Sequence, residues 1–335
     1  MSVKGYAAFG PGEALKPFSY EPDALGPHDV EIEVTHCGIC HSDVHLIDND
    51  WGITKYPTIP GHEVVGEVAG LGCEVKGLAK GDRVGVGWQA GSCLHCEWCV
   101  SGQENRCGEQ SAVCVGRYGG FAEALRVDGR FAFPIPKAIS SEHASPLLCG
   151  GITVYTPLRA HAHPWSRVGV VGIGGLGHFA VQFAKAFGCE VTAFSTTAEK
   201  EKEAVELGAH HFALCSDAKQ MKKAAESLDL IVSTVHVDMD WESWMRVLRP
   251  NGVLALVGVS DGPLNIAPDT LLLGKKAVVG STIGTRSAMR EMLEFAGRHG
   301  IRAWAEVVPM SQVNDAVDRV RKGKARYRMV LKQTK

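Results

Sequence analysis

Val168-Gly169-Val170-Val171-Gly172-Ile173-Gly174-Gly175-Leu176-Gly177 joins an unbroken apolar run to glycines spaced G-x-G-x-x-G, and apolar residues at helical intervals follow at Phe179, Val181 and Phe183. A short continuous apolar run suits a strand covered on both faces of its sheet. Glycines directly after such a strand allow a tight turn and let a pyrophosphate approach the next helix, whose first N–H groups favour anions. Taken alone, the same glycines also mark ordinary turns in unrelated α/β domains; the strand-turn-helix setting gives them their meaning. The stretch therefore predicts a dinucleotide-binding turn at Gly172, Gly174, Gly175, Leu176 and Gly177.

Beyond this stretch, apolar runs at 191–194, 228–232 and 253–257 alternate with segments of helical character. Buried parallel strands with crossover helices, a Rossmann arrangement, account for that alternation. The first 150 residues differ: Gly and Pro punctuate short β-branched runs at 30–34 and 64–68, as in a mainly β domain. After Thr285, residues 289–296 read as an amphipathic helix, 313–322 as a second, and 328–331 as a terminal strand. Periodicity does not assign this tail to either domain. A chain of 335 residues suits about two domains.

The second Rossmann strand runs into Phe194-Ser195-Thr196-Thr197-Ala198-Glu199-Lys200. An acid there would bind both ribose hydroxyls of NAD and repel a 2'-phosphate. Ser195, Thr196, Thr197 and Lys200 instead offer hydrogen-bond donors and a positive charge, which predicts NADP(H). Glu199 opposes that charge only if it faces the phosphate.

Lys and Arg number 35 against 37 Asp and Glu, a net charge of -2 that argues against nucleic acid or an anionic membrane as the main partner. No run approaches the ~18 apolar residues of a membrane-spanning helix. The opening residues lack the apolar core of a secretory segment, and the cysteine count is odd at 11. A reducing, cytoplasmic setting is therefore expected, with the cysteines put to another use.

Cys93, Cys96, Cys99 and Cys107, spaced C-x2-C-x2-C-x7-C, supply four soft thiolates on one loop, enough to close a tetrahedron around a structural zinc ion. Free cysteines are the plain alternative. An iron-sulfur cluster is another, although the last interval departs from the bacterial ferredoxin spacing. Cys40, His62 and Cys149 form a ligand set known to leave a fourth zinc position open, but spacing does not join them. Taken alone, Cys149 reads equally as a small buried apolar residue.

Gly61-His62-Glu63, the four-cysteine loop, Cys149-Gly150-Gly151-Ile152-Thr153-Val154-Tyr155 and Lys324-Ala325-Arg326-Tyr327-Arg328 together resemble the zinc-dependent alcohol dehydrogenases of the medium-chain dehydrogenase/reductase superfamily. The similarity points to their cinnamyl-alcohol-dehydrogenase-like branch and its bacterial NADPH-dependent broad-range aldehyde reductases. It implies an α/β Rossmann domain at 152–285 and a mainly β GroES-like catalytic domain from 1–151 and 286–335. The implied chemistry is reversible reduction of aldehydes to primary alcohols, with NADPH giving hydride and two zinc ions per subunit, one catalytic and one structural.

Matching the motifs places the catalytic zinc on Cys40, His62 and Cys149, with Glu63 an occasional further ligand and Asp43 orienting a ligand from behind. The resemblance gives Cys37 no metal role. It assigns Ser42 and His45 to a proton relay and His41, Thr153, Ser281, Ile283 and Arg328 to the cofactor. Trp51, Trp88, Leu272 and Ile283 are candidates for an apolar substrate pocket, although either tryptophan serves equally as core packing. A homodimer is expected. Competing readings are a polyol or secondary-alcohol dehydrogenase, and a zinc-stabilised NADPH-binding regulatory protein without turnover.

Overall fold

The computed structural model describes residues 2–260 and 262–334. The chain divides into two compact units, one of Met1–Ile152 with Ile283–Lys335 and the other of Thr153–Thr282.

In the second unit, Val168, Val170 and Val171 are all buried in strand Arg167–Val171, as an apolar run covered on both faces requires. The sheet has six parallel strands in the order His211–Leu214, Glu190–Ser195, Arg167–Val171, Leu228–Ser233, Leu248–Leu256 and Ala277–Gly280. Chain order thus reverses between Arg167–Val171 and Leu228–Ser233. In doubly wound sheets a ligand crevice opens beyond the carboxyl ends at that reversal. The outermost strands, His211–Leu214 and Ala277–Gly280, lie beyond the runs that the sequence marks; each has only four residues, too few for a period to show.

In the first unit, strand Asp29–Ile39 sits at the centre of a seven-stranded sheet. Val30, Ile32 and Val34 are buried while Glu31 and Glu33 face away, the alternation of a half-covered strand. It pairs antiparallel with Glu63–Leu71, with Ala124–Asp128 and with the terminal strand Arg328–Lys332. That last pairing, Met329 opposite Ile39 and Leu331 opposite Cys37, settles the place of the tail. Helix Arg286–His299 buries Met289, Met292, Leu293 and Ala296 on one face. Its N-cap is Thr285, whose side chain accepts from the Ala288 N–H, and left-handed Gly300 ends it.

None of the described residues belongs to a helix long and apolar enough to cross a membrane.

Candidate functional site

Three separate elements carry the first group of site residues. Strand Asp29–Ile39 delivers Cys40, which caps helix His41–Asp48. His62 directly precedes strand Glu63–Leu71, and Cys149 lies in a π-helical turn, Leu147–Gly151, of the kind often found at functional sites. The fold gathers Cys40, His62, Glu63 and Cys149 so that one ligand atom of each lies within 4.8 Å of the others. Cys149 Sγ is 3.9 Å from Cys40 Sγ and 3.3 Å from His62 Nε2.

Asp43 organises this cluster from behind. Fully buried, it accepts through Oδ2 from the Cys40 N–H at 2.8 Å, and through Oδ1 from the Gly61 N–H and His62 Nδ1, each at 2.9 Å. A carboxylate on Nδ1 fixes the proton there, leaving the Nε2 lone pair directed at the thiols. The Cys40 thiol is held well below its ordinary value by its hydrogen bond with Cys149, and His62 adds to that effect. Cys149 moves the opposite way, raised by the same hydrogen bond and by burial.

Glu63 is fully buried; its side-chain Oε1 accepts from Arg328 Nη2, while Oε2 has no hydrogen-bond partner among the described residues. Burial raises its carboxyl to about 7 against the opposing pull of Arg328. Arg328, which the resemblance associates with the cofactor, is itself only 5% exposed, and its Nε has no partner among the described residues. Cys37 points into the apolar core, apart from the cluster, despite its C-x2-C spacing to Cys40.

An aromatic file leads up to the cluster. His41 and His45 have ring centroids 5.1 Å apart, His45 and Trp51 5.1 Å, Trp51 and Trp88 6.1 Å, and Trp88 meets the His62 ring edge-on at 5.1 Å. Trp88 also lines a cavity of about 20 Å³ with Leu148, Ile283 and Met289. Ser42 Oγ lies 3.7 Å from Cys40 Sγ, and His45 Nδ1 meets Asp50 at 2.7 Å on a partly exposed side chain. Leu272 lies in the other unit on helix Pro268–Gly274 and is 78% exposed.

Cys93, Cys96, Cys99 and Cys107 form a second cluster, with Cys93 Sγ 3.9 Å from Cys99 Sγ and 3.5 Å from Cys107 Sγ. Thiolates 2.3 Å from a tetrahedral zinc lie about 3.8 Å apart, so both clusters have the dimensions the ion needs. Backbone N–H groups of His95 and Cys96 aimed at Cys93 help bring its thiol down to about 6. All four corners here are sulfur, whereas Cys40, His62 and Cys149 fill three.

In the other unit, left-handed Gly172 ends the first strand, and helix Gly177–Ala186 begins five residues later. A Cβ on Gly177 would stand 1.8 Å from Gly172 O, whereas one on Gly174 would meet nothing within 4 Å. The turn is thus closed on itself at Gly177 and open at Gly174, the concavity a pyrophosphate requires. Ser195 ends the second strand with its Oγ accepting from the Thr197 N–H at 3.1 Å, and Thr196, Thr197 and Glu199 are exposed beyond it. Lys200 Nζ donates to Ile173 O, placing its charge on the glycine turn. Ser233 Oγ and Ser281 Oγ are buried without partners among the described residues. Thr153 is also buried, in the helix that follows the Cys149 turn.

Glu104 and Asn105 belong to no sequence motif. Both lie between the third and fourth cysteines and bond to the segment that begins at Ile283. Nothing in their local pattern announces partners 178 and 182 residues away.

Residues 26–137 match the alcohol dehydrogenase GroES-like domain family, and 175–298 match the zinc-binding dehydrogenase family. The chain is 44% identical to an aldehyde reductase, AdhA, of Synechocystis, over 99% of both chains. A cinnamyl alcohol dehydrogenase structure from Sorghum bicolor superposes with a TM-score of 0.95 at 41% identity, covering 99% of this chain and 98% of that one. The Helicobacter pylori cinnamyl alcohol dehydrogenase complexed with NADP(H) gives 0.91 at 34% identity, with the same coverage.

Proposed function

The chain belongs to the zinc-dependent alcohol dehydrogenases of the medium-chain dehydrogenase/reductase superfamily, in their cinnamyl-alcohol-dehydrogenase-like branch, and from that premise we propose that it reduces apolar and aromatic aldehydes to primary alcohols with NADPH. The observation that carries this reading is the cluster of Cys40, His62 and Cys149, three donors of zinc type with Asp43 fixing the tautomer of the histidine. A zinc ion held there would supply a Lewis acid for a carbonyl oxygen. NADPH bound at the glycine turn would supply the hydride.

The protein's own residues supply alignment and the proton. Asp43 keeps Nε2 of His62 available, and Trp88 and Trp51 form an apolar wall suited to an aromatic aldehyde and hostile to water. Ser42, a hydroxyl able both to accept and to donate, is the group that hands a proton to the product oxygen. His45, bonded to Asp50 and partly exposed, restores it from solvent. Lys200 and the hydroxyls at Ser195, Thr196 and Thr197 favour a 2'-phosphate, while Ser281, Ser233 and the Arg328 Nε offer buried donors still unpartnered. His41, Thr153 and Ile283 complete the cofactor surround on the strength of family similarity, and Ile283 also extends the substrate wall in the cavity it shares with Trp88.

Eleven free cysteines fit a reducing cytoplasm. Strand Ala277–Gly280 forms an edge of its sheet, and Leu272 and Leu273 stand 78% and 88% exposed just before it. An edge flanked by exposed leucines suits pairing with a second copy. A homodimer is the assembly this supports, and sedimentation at the mass of one chain would overturn it.

The test is a panel of aldehydes, ketones and polyols assayed with NADPH and NADH. Aromatic and medium-chain aldehydes should give the highest kcat/KM, with NADPH preferred by about tenfold or more, the worth of one charge-assisted contact. Faster turnover of polyols would favour the polyol dehydrogenase reading, and no cofactor oxidation by any carbonyl would favour a regulatory protein. In the same panel Ser42→Ala should lower kcat about 10²-fold for every aldehyde, within the range of a lost proton donor, with zinc content and NADPH affinity kept. Unchanged turnover would remove Ser42 from the relay.

A further inference from the structure

Between Cys99 and Cys107 the chain makes a single 3-10 turn, Glu104–Arg106. Glu104 is a carboxylate only 2% exposed, an expensive place for a charge unless it is well bonded. Its Oε1 accepts from the backbone N–H of Arg286 at 2.7 Å and from Arg286 Nε at 2.8 Å. Arg286 is the first residue of helix Arg286–His299, so the carboxylate satisfies a helix-terminal N–H and places negative charge at the positive end of the helix dipole. The Arg286 guanidinium in turn lies 5.3 Å from the centre of the Phe131 ring. The Glu104 carbonyl is held from the other side by Gln89 Nε2 at 2.7 Å. Next in the chain, Asn105 Nδ2 donates to the carbonyl of Ile283 at 2.9 Å.

The bonds from the Glu104 carboxylate and the Asn105 amide all reach one segment, Ile283 to Arg286, while Gln89 braces the turn from behind. Ile283 lines the small cavity it shares with Trp88 and Leu148, neighbours of His62 and Cys149 respectively. The four-cysteine loop therefore grips the backbone that sets where the Ile283 side chain stands. We propose that Glu104 and Asn105 are positioning residues for Ile283, so that the turn anchored between two thiolate ligands sets which aldehydes the enzyme prefers. This rests on the reading of Ile283 as part of the substrate wall. Neither residue touches the substrate; each acts through the main chain of the segment it holds.

The test uses the zinc-loaded enzyme and the variants Asn105→Ala, Glu104→Gln and Ile283→Ala. Hydrogen exchange of peptides covering 283–290 reports the grip without any turnover. The ratio of kcat/KM for an aromatic aldehyde to that for a short aliphatic one reports the wall, and it is unaffected by the fraction of enzyme that is folded. Asn105→Ala should speed exchange at the start of the helix at least tenfold and shift the ratio at least fivefold, with zinc content unchanged. Glu104→Gln, which keeps an oxygen acceptor, should fall between it and the parent. Unchanged exchange in Asn105→Ala overturns the proposal. If Ile283→Ala shifts the ratio and Asn105→Ala does not, the proposal fails while the wall stands. If Ile283→Ala leaves the ratio unmoved, the wall reading fails and the proposal falls with it.

Discussion

Cys149→Ser is expected to lower aldehyde reduction by at least about 10³-fold while changing the Kd for NADPH less than threefold. Loss of a group that merely orients a metal ligand typically costs about 10–100-fold. Cys149 is one of the two sulfur donors in its cluster and is buried; Glu63, the remaining candidate donor beside it, is engaged by Arg328 and offers oxygen where the site has sulfur. Serine keeps the shape but offers a hydroxyl that is a poor anion at neutral pH. Asp43→Ala supplies the internal comparison. Removing the carboxylate on His62 Nδ1 leaves all three donors present but frees the ring to rotate and change tautomer, so its loss should lie within the 10–100-fold range. Steady-state rates with metal analysis on the same preparations check both. Equal losses in the two variants would show that Asp43 does more than orient.

Gly177→Ala should be among the most damaging single methyls in the cofactor unit. Its Cβ would lie 1.8 Å from Gly172 O and 2.9 Å from Gly172 C, which are backbone atoms that cannot rotate aside. Overpacking a tight site costs about 1–3 kcal/mol, and a collision with main chain belongs at or above the top of that range. The turn must open, and NADPH affinity should fall about 100-fold or more. Gly174→Ala separates folding from binding. Its Cβ meets nothing within 4 Å, so thermal stability should hold within a degree or two while NADPH binding weakens, because the methyl occupies the space meant for the pyrophosphate. Titration calorimetry and thermal unfolding on both variants decide the matter. Intact NADPH affinity in Gly174→Ala would mean that the nucleotide does not approach that backbone.

The sequence reveals what is local. Residues 168–177 contain a strand, a turn and a helix start within one glance, and the structure forms all three. The four cysteines from 93 to 107 are close enough in sequence for spacing alone to imply a metal, and their sulfurs do converge. What depends on topology was hidden. Cys40 and Cys149 meet only because the central strand Asp29–Ile39 and the π-helical turn Leu147–Gly151 end at the same point, and family resemblance rather than spacing joined them beforehand. The tail had no address until Arg328–Lys332 paired with Asp29–Ile39. Strands His211–Leu214 and Ala277–Gly280 escaped notice because an edge strand of four residues displays too little pattern. Glu104 was invisible for a different reason: an acid in a polar loop reads as solvated until its burial and its partner at Arg286 are seen.

Hydride tracing follows the proposed transfer from NADPH to the aldehyde carbon itself. Zinc-loaded enzyme would be incubated with an aromatic aldehyde and NADPH deuterated at one face of nicotinamide C4, first as one stereoisomer and then as the other, with Cys149→Ser as the control. One of the two isomers alone should yield alcohol carrying a single deuterium on the carbinol carbon, and Cys149→Ser should yield almost none. Unlabelled alcohol from both isomers, or equal labelled product from Cys149→Ser, would contradict the proposed function.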